Sequence, residues 1–326
     1  MKIIGYIVFA IMYKIYSFFV KKDLTFFFLH HDDSDKGNTG RMLKYYQSKN
    51  EKIYSLTKKE MRNLIDLIFV KPYYLARAHT IYLDDCLLCL SFVKFSKNVK
   101  LVQLWHGTGT IKYFCLDYDK GIIRYLEERV NKKITHLFVS SKNQINQYSK
   151  AFGVCKSKIY PLGLPRTETM LELKKIDTNR VLYAPTFLDE MGNKTLFNIN
   201  LLEELLKPEY ELVVRLHPSI KNENNSKNNV YEDIENSSIL ISDYSSIIID
   251  YALLNKPIYL LQNKKFTRDI YKNLDLPTFD SEEKIVKMIK EGNYDFTKID
   301  KIVRENYDYM DKDICERIYT KVNGSL

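Results

Sequence analysis

Four short polar motifs follow apolar, β-rich runs, and their residue types could move a proton and hold a phosphate. Trp105-His106-Gly107-Thr108-Gly109-Thr110 follows residues 100–104, and Pro185-Thr186-Phe187 follows residues 181–184. His217-Pro218 follows residues 211–216, and Asp243-Tyr244-Ser245-Ser246 follows residues 238–242. A histidine on a glycine loop suits a general base, because its ordinary pKa is near neutral and glycines admit close backbone approach. The plainer alternative is a histidine that caps its own loop. Arg215 and His217 share one face of a strand end, since strand period is two. A cation beside an imidazole can stabilise charge on a phosphoryl group; the alternative is an arginine paired with a carboxylate. Ser245 and Ser246 precede a helix predicted over residues 247–254, where unpaired amides and the positive dipole end favour phosphate. Simple N-capping is the other reading. Asp250 lies one turn after Ser246 and is placed to accept bonds from the hydroxyls of a sugar or alditol.

Other patterns carry less. Cys86-Leu-Leu-Cys89 sits inside an apolar run with no second pair, so it reads as buried thiol. His30-His31-Asp32-Asp33 resembles a metal cluster but occupies a polar loop after a strand. No P-loop, G-x-S-x-G or H-E-x-x-H is present, and neither a metal nor a cofactor is expected. Hydrophobic residues make up 45% of the 326 and charged residues 28%, which excludes a disordered or fibrous chain. Five cysteines, odd in number and thinly spread, argue against a disulfide framework and for a reducing compartment. The net charge of +9 is dispersed in small clusters. No basic helix with base-reading side chains stands out, so nucleic acid is not an expected partner.

The elements that must position these motifs alternate. Strands are predicted at residues 24–29, 52–56, 80–83, 100–104, 136–139, 158–160, 181–184, 211–216, 238–242 and 258–261, with helical periodicity between them. Such alternation reads as α/β with parallel sheets, and ligands bind outside the carboxyl ends of such strands. The expected architecture is two Rossmann-like domains, residues 23–170 and 171–326, with a cleft between them on which the four motifs converge. Ile314, Ile318 and Val322 recur every four residues and predict a final helix closing the second domain. Residues 3–20 are nearly all apolar, interrupted by Lys14 and bounded by Lys2, Lys21 and Lys22. No small-residue cleavage site follows, so residues 1–22 predict a helix lying in an anionic membrane interface, on the cytoplasmic face; a helix packed on the protein and a true span are the alternative readings.

Taken together, Gln103-Leu-Trp105-His106-Gly107-Thr108, Gly163-Leu-Pro165-Arg166, Tyr183-Ala-Pro185-Thr186-Phe187, Arg215-Leu-His217-Pro218 and Ser242-Asp243-Tyr244-Ser245-Ser246 resemble the CDP-glycerol glycerophosphotransferases, the teichoic-acid primases and polymerases. The order and spacing of the blocks also match, through Asp250-Tyr-Ala-Leu-Leu-Asn-Lys-Pro257. The resemblance implies a GT-B fold, peripheral membrane attachment, a CDP-alditol donor held mainly by the second domain, and a lipid-linked glycan or polymer acceptor. It implies that an acceptor hydroxyl attacks the alditol phosphate and CMP leaves. It makes His106 the base and His217 and Arg215 stabilisers of the phosphates. Ser245 and Ser246 would hold a phosphate, with Gly107, Thr108, Arg166, Pro185, Thr186, Asp243 and Asp250 also at the substrate. The loop departs from the family's W-H-G-T-P-L-K: Gly109 replaces the proline, and one further residue precedes Lys112. Leu188 stands where the family carries arginine, and Glu168 where aspartate is usual. The alditol stays open. A nucleotide-sugar glycosyltransferase and a non-catalytic membrane-bound scaffold are the alternative readings.

Overall fold

Leu24-Thr-Phe-Phe-Phe-Leu29 is buried along its whole length, as a central parallel strand with helices on both faces must be. In the computed structural model it is β1 of a six-stranded sheet; the structure describes residues 2–31, 34–63, 65–186, 197–216, 225–261 and 274–324. The sheet continues with β2 (Ile53–Thr57), β3 (Ala78–Leu83), β4 (Lys100–Gln103), β5 (His136–Phe138) and β6 (Ile159–Tyr160). All neighbours pair parallel, in the order β2-β1-β3-β4-β5-β6. A second parallel sheet holds β7 (Arg180–Tyr183), β8 (Glu211–Val214), β9 (Ile239–Ser242), β10 (Ile258–Leu261) and β11 (Thr278–Phe279), ordered β11-β10-β9-β7-β8.

Alternate residues of each strand feed opposite faces. Phe26, Phe28, Ile81 and Leu83 pack with Phe9 and Tyr13 of the N-terminal helix Lys2–Ser17 and with Tyr148 and Phe152 of helix Ile145–Phe152. Phe27, Tyr82 and Val102 pack with Met42 and Tyr46 of helix Asn38–Ser48 and with Ile314, Ile318 and Val322 of helix Ile314–Asn323. In the second sheet Val181, Tyr183 and Ile241 pack with Leu202, Leu206 and Ile285, while Leu182 and Leu240 pack with Tyr251 and Ile299.

The chain divides into two compact units. The first holds the described residues of Met1–His106, Phe114–Thr169 and Asp308–Leu326; the second holds Gly107–Tyr113 and those of Met170–Tyr307. The final helix therefore departs from the expectation that it closes the second domain. Its apolar stripe fills the open face of the first sheet, and the Cys315 N–H donates to Glu168 Oε1 at 2.7 Å. The N-terminal helix buries one face and exposes Ile4, Ile7, Ile11 and Ile15 on the other. Among the described residues no helix is long and apolar enough to cross a membrane.

Candidate active site

A parallel sheet forms a crevice where its strand order reverses, at the carboxyl ends of the two strands either side. In the first sheet that place lies between β1 and β3, with β4 next to β3. The chain leaves β1 into His30-His31, β3 into Asp84-Asp85, and β4 through Leu104 and Trp105 into His106. These are the residues found together.

His106 is half-buried, and its Nδ1 lies 2.9 Å from the Asp84 carbonyl oxygen. A carbonyl only accepts, so Nδ1 carries the proton and Nε2 keeps its lone pair. Burial, then the neighbouring His31, push the His106 pKa down to about 3, so the ring is neutral at physiological pH. His31 stacks on it with ring centroids 3.6 Å apart and planes 7° from parallel. The Asp84 carboxylate accepts the N–H groups of His30 (3.0 Å) and His31 (2.9 Å), which fixes the loop that carries the stacking ring. Next to it, Asp85 Oδ2 bonds His30 Nδ1 at 2.8 Å.

Side chains from other elements set the backbone of the loop. Asn38 Nδ2 donates to the carbonyls of Leu104 (3.3 Å) and Trp105 (2.9 Å), and Asn38 Oδ1 accepts the Arg166 N–H at 3.0 Å. Arg166 Nη1 donates to the His106 carbonyl at 2.7 Å. The buried Gln103 Oε1 accepts the Trp105 N–H at 2.8 Å. Trp105 is held at φ 56°, a left-handed value that a large side chain adopts only when its surroundings impose it.

The second sheet reverses order between β7 and β9. There the Asp243 carboxylate accepts the Thr186 N–H at 3.0 Å, the Thr186 hydroxyl, and the Tyr244 N–H at 2.7 Å. Ser242 Oγ donates to the Ala184 carbonyl at 2.7 Å, so the strand ends are stitched together beside the buried Pro185. Burial raises the Asp243 pKa, while the Thr186 bonds and the charge of Lys112 oppose that rise. Lys112 lies 5.6 Å from the Tyr244 ring centroid, and burial lowers its pKa. Ser245 and Ser246 are half-buried; Ser246 takes the cap position of the six-residue helix Ile247–Ala252 without a side-chain capping bond.

Other expected residues lie elsewhere. Arg215 is committed to Asp233, with Nε and Nη2 each 2.6 Å from its Oδ2, and also donates to the Asn228 carbonyl. The paired-arginine alternative therefore describes it. Asp250 is 2% exposed and accepts a bond from Tyr307 Oη at 3.2 Å, so it sits inside the second unit. Thr108 is buried, with no partner for its hydroxyl among the described residues, and Gly107 is half-buried. Gly109 has φ +80°, a value closed to the proline of the family pattern, and that accounts for the altered loop. His217, Phe187 and Leu188 lie outside the described residues, as do Asp32 and Asp33. Among the described residues no group of three or more His, Cys, Asp or Glu could hold a metal. Asp84, Asp85 and Asn38 were not singled out from the sequence, and His31 was weighed there only as part of a metal-like cluster. Asp84 and Asp85 directly follow a predicted strand, and that position was the available signal.

The sequence matches the family model for CDP-Glycerol:Poly(glycerophosphate) glycerophosphotransferase over residues 10–324. It is 27% identical to a teichoic acid poly(ribitol-phosphate) polymerase of Bacillus spizizenii over 81% of this chain and 49% of that protein. It is 30% identical to a teichoic acid glycerol-phosphate primase of Bacillus subtilis, covering 76% of this chain and 73% of that protein. The chain thus spans about half the length of the first of these relatives. The solved wall teichoic acid polymerase TagF superposes with a TM-score of 0.72 at 17% identity, over 97% of this chain and 93% of that one. A UDP-N-acetylglucosamine 2-epimerase from Listeria monocytogenes superposes at 0.59 and 10% identity, over 94% of this chain and 97% of that one. Both likenesses are of fold.

Proposed function

The chain belongs to the CDP-glycerol:poly(glycerophosphate) glycerophosphotransferase family, and on that footing we propose that it transfers an alditol phosphate, most simply glycerol phosphate, from a CDP-alditol to a hydroxyl of a membrane-linked acceptor. The observation that carries this reading is the fixed tautomer of His106, which leaves Nε2 as a proton acceptor at the carboxyl end of β4. In this reading His106 takes the proton of the acceptor hydroxyl as its oxygen bonds to phosphorus, and CMP leaves. By the family resemblance, Ser245, Ser246 and Thr186 hold the donor phosphates. Arg166 keeps the His106 loop in place. A stable phosphate leaving group needs little covalent help, so positioning and charge supply most of the rate.

The same proposal seats the chain on an anionic membrane surface. Its support is the outward row Ile4, Ile7, Ile11 and Ile15, continued by Phe18 and Phe19 (76% and 82% exposed) and by the exposed Ile65, Phe69 and Val70.

The test is CMP release from CDP-glycerol and from CDP-ribitol, with a synthetic lipid-linked glycerol phosphate oligomer as acceptor. Native protein is expected to release CMP, and His106→Ala to reduce kcat by roughly 100- to 10,000-fold with folding retained. Release of a nucleoside diphosphate from UDP- or GDP-sugars, with CDP-alditols inert, would replace this reading by sugar transfer. Full activity in His106→Ala would remove His106 as the base.

A further inference from the structure

A general base must become a cation during the reaction, and much of what surrounds His106 resists that. Burial, the stacked His31 and the Arg166 charge all disfavour an imidazolium. The Asp85 carboxylate acts in the opposite sense. Asp85 follows the residue whose carbonyl holds His106 Nδ1, and its own groups are tied on three sides. Oδ2 bonds His30 Nδ1 at 2.8 Å, Oδ1 accepts the Cys86 N–H at 2.7 Å, and its carbonyl accepts Gln103 Nε2 at 3.2 Å. Since Gln103 also receives the Trp105 N–H, one side chain links the end of β3 to the loop that presents His106.

Burial would raise the Asp85 pKa, but the His30 bond, the nearby His106 and the Cys86 N–H leave it below the ordinary value, so the group is ionised. The Asp85 charge in turn raises the pKa of Glu127 and of Asp119, in each case after burial. Burial, with Asp119 next, pushes the Glu127 pKa up, to about 8.

Resting on the phosphotransfer reading above, we propose that Asp85 is a positioning residue for His106, whose anchored carboxylate supplies the negative charge against which His106 becomes an imidazolium. In the step, the acceptor oxygen bonds to the transferred phosphorus and its proton passes to His106 Nε2. The bond from phosphorus to the CMP oxygen breaks, and CMP departs with the electron pair. Asp85 opposes the new positive charge and takes no proton itself.

Asp85→Asn keeps the shape and removes the charge; Asp85→Glu restores the charge. CMP release from CDP-glycerol or CDP-ribitol, with the lipid-linked oligomer as acceptor, is expected to show kcat about 10- to 100-fold lower in Asp85→Asn, with donor KM nearly unchanged. Asp85→Glu should recover most of the loss, and melting curves should match the native protein. Because Asp85 acts through His106, Asp85→Asn added to His106→Ala should cost nothing further. His30→Asn, which frees one anchor and keeps the charge, is the second variant and should lose several-fold in kcat. Native kcat in both Asp85→Asn and His30→Asn, with His106→Ala inactive, would overturn this inference and leave the base reading standing. A raised donor KM with native kcat would make Asp85 a binding group and overturn it. An additional loss on top of His106→Ala would overturn it as well. An active His106→Ala would overturn the base reading and this inference with it.

Discussion

His106 is held neutral by its surroundings, and a group held neutral leaves a signature in stability. His136 belongs to the same class. Burial first, then Lys100, Lys321 and Lys158, push its pKa from 6.5 down to about 4. Below 6.5 the unfolded chain binds protons that the folded chain refuses, so stability is full above that value and falls as pH drops. At about pH 5 each of these histidines should remove roughly 1–2 kcal/mol. Urea midpoints at about pH 7 and about pH 5 should show that loss, and His136→Gln should shrink it by roughly 1 kcal/mol. An equal pH dependence in the variant would remove His136 from the account. At this scale the sequence is legible where one residue type announces its chemistry. His106 could be picked out because it is a histidine between a strand and a glycine. The group that decides its tautomer could not, because it is a backbone carbonyl 22 residues upstream, just past the end of another strand. Arg215 shows the converse: its type suggested phosphate, but the buried Asp233 that claims it is 18 residues further on.

Elements are positioned by contacts that single residues can break. Gly163 follows β6 at φ +97°, and a Cβ there would lie 3.0 Å from three side-chain atoms of Ile314 on the final helix. Gly163→Ala therefore meets both a forbidden backbone angle and a packed branched side chain, and should destabilise by roughly 2–3 kcal/mol. Ile314→Val on that background should restore only the packing share. Denaturant midpoints check both, and a midpoint at the native value in Gly163→Ala would show that the loop can shift at no cost. Strand placement was legible from apolar runs bounded by polar turns. β1 and β10 match their expected bounds, and the others differ at their ends by one or two residues. β11, two residues at Thr278–Phe279, was not among the expected strands.

Across the whole chain, each sheet places its chemistry-bearing turns where strand order reverses: Asp84 and His106 by β3 in one, Thr186 and Asp243 at β7 and β9 in the other. Sheet order depends on pairings between distant segments, so motif spacing alone leaves it undetermined. The return of the chain at Asp308 was illegible for the same reason, because an apolar stripe does not say which sheet it covers. The N-terminal helix carries the membrane proposal. Ile7, Ile11 and Ile15 are exposed, so changing all three to Ser should leave the melting temperature in place. At about 1–2 kcal/mol per buried side chain, the triple variant should bind phosphatidylglycerol vesicles at least 100-fold more weakly in flotation assays. Undiminished flotation would dismiss this helix as the membrane contact.

Trp105, locked in its left-handed conformation, is the single tryptophan of the chain, and its ring centroid lies 4.1 Å from that of His106. The protein therefore carries a built-in optical probe on the loop of the proposed base. Excited at the red edge, where tyrosine is dark, its emission reports on this loop alone. Protonation of the neighbouring imidazole, or arrival of a nucleotide, would register as quenching without any label.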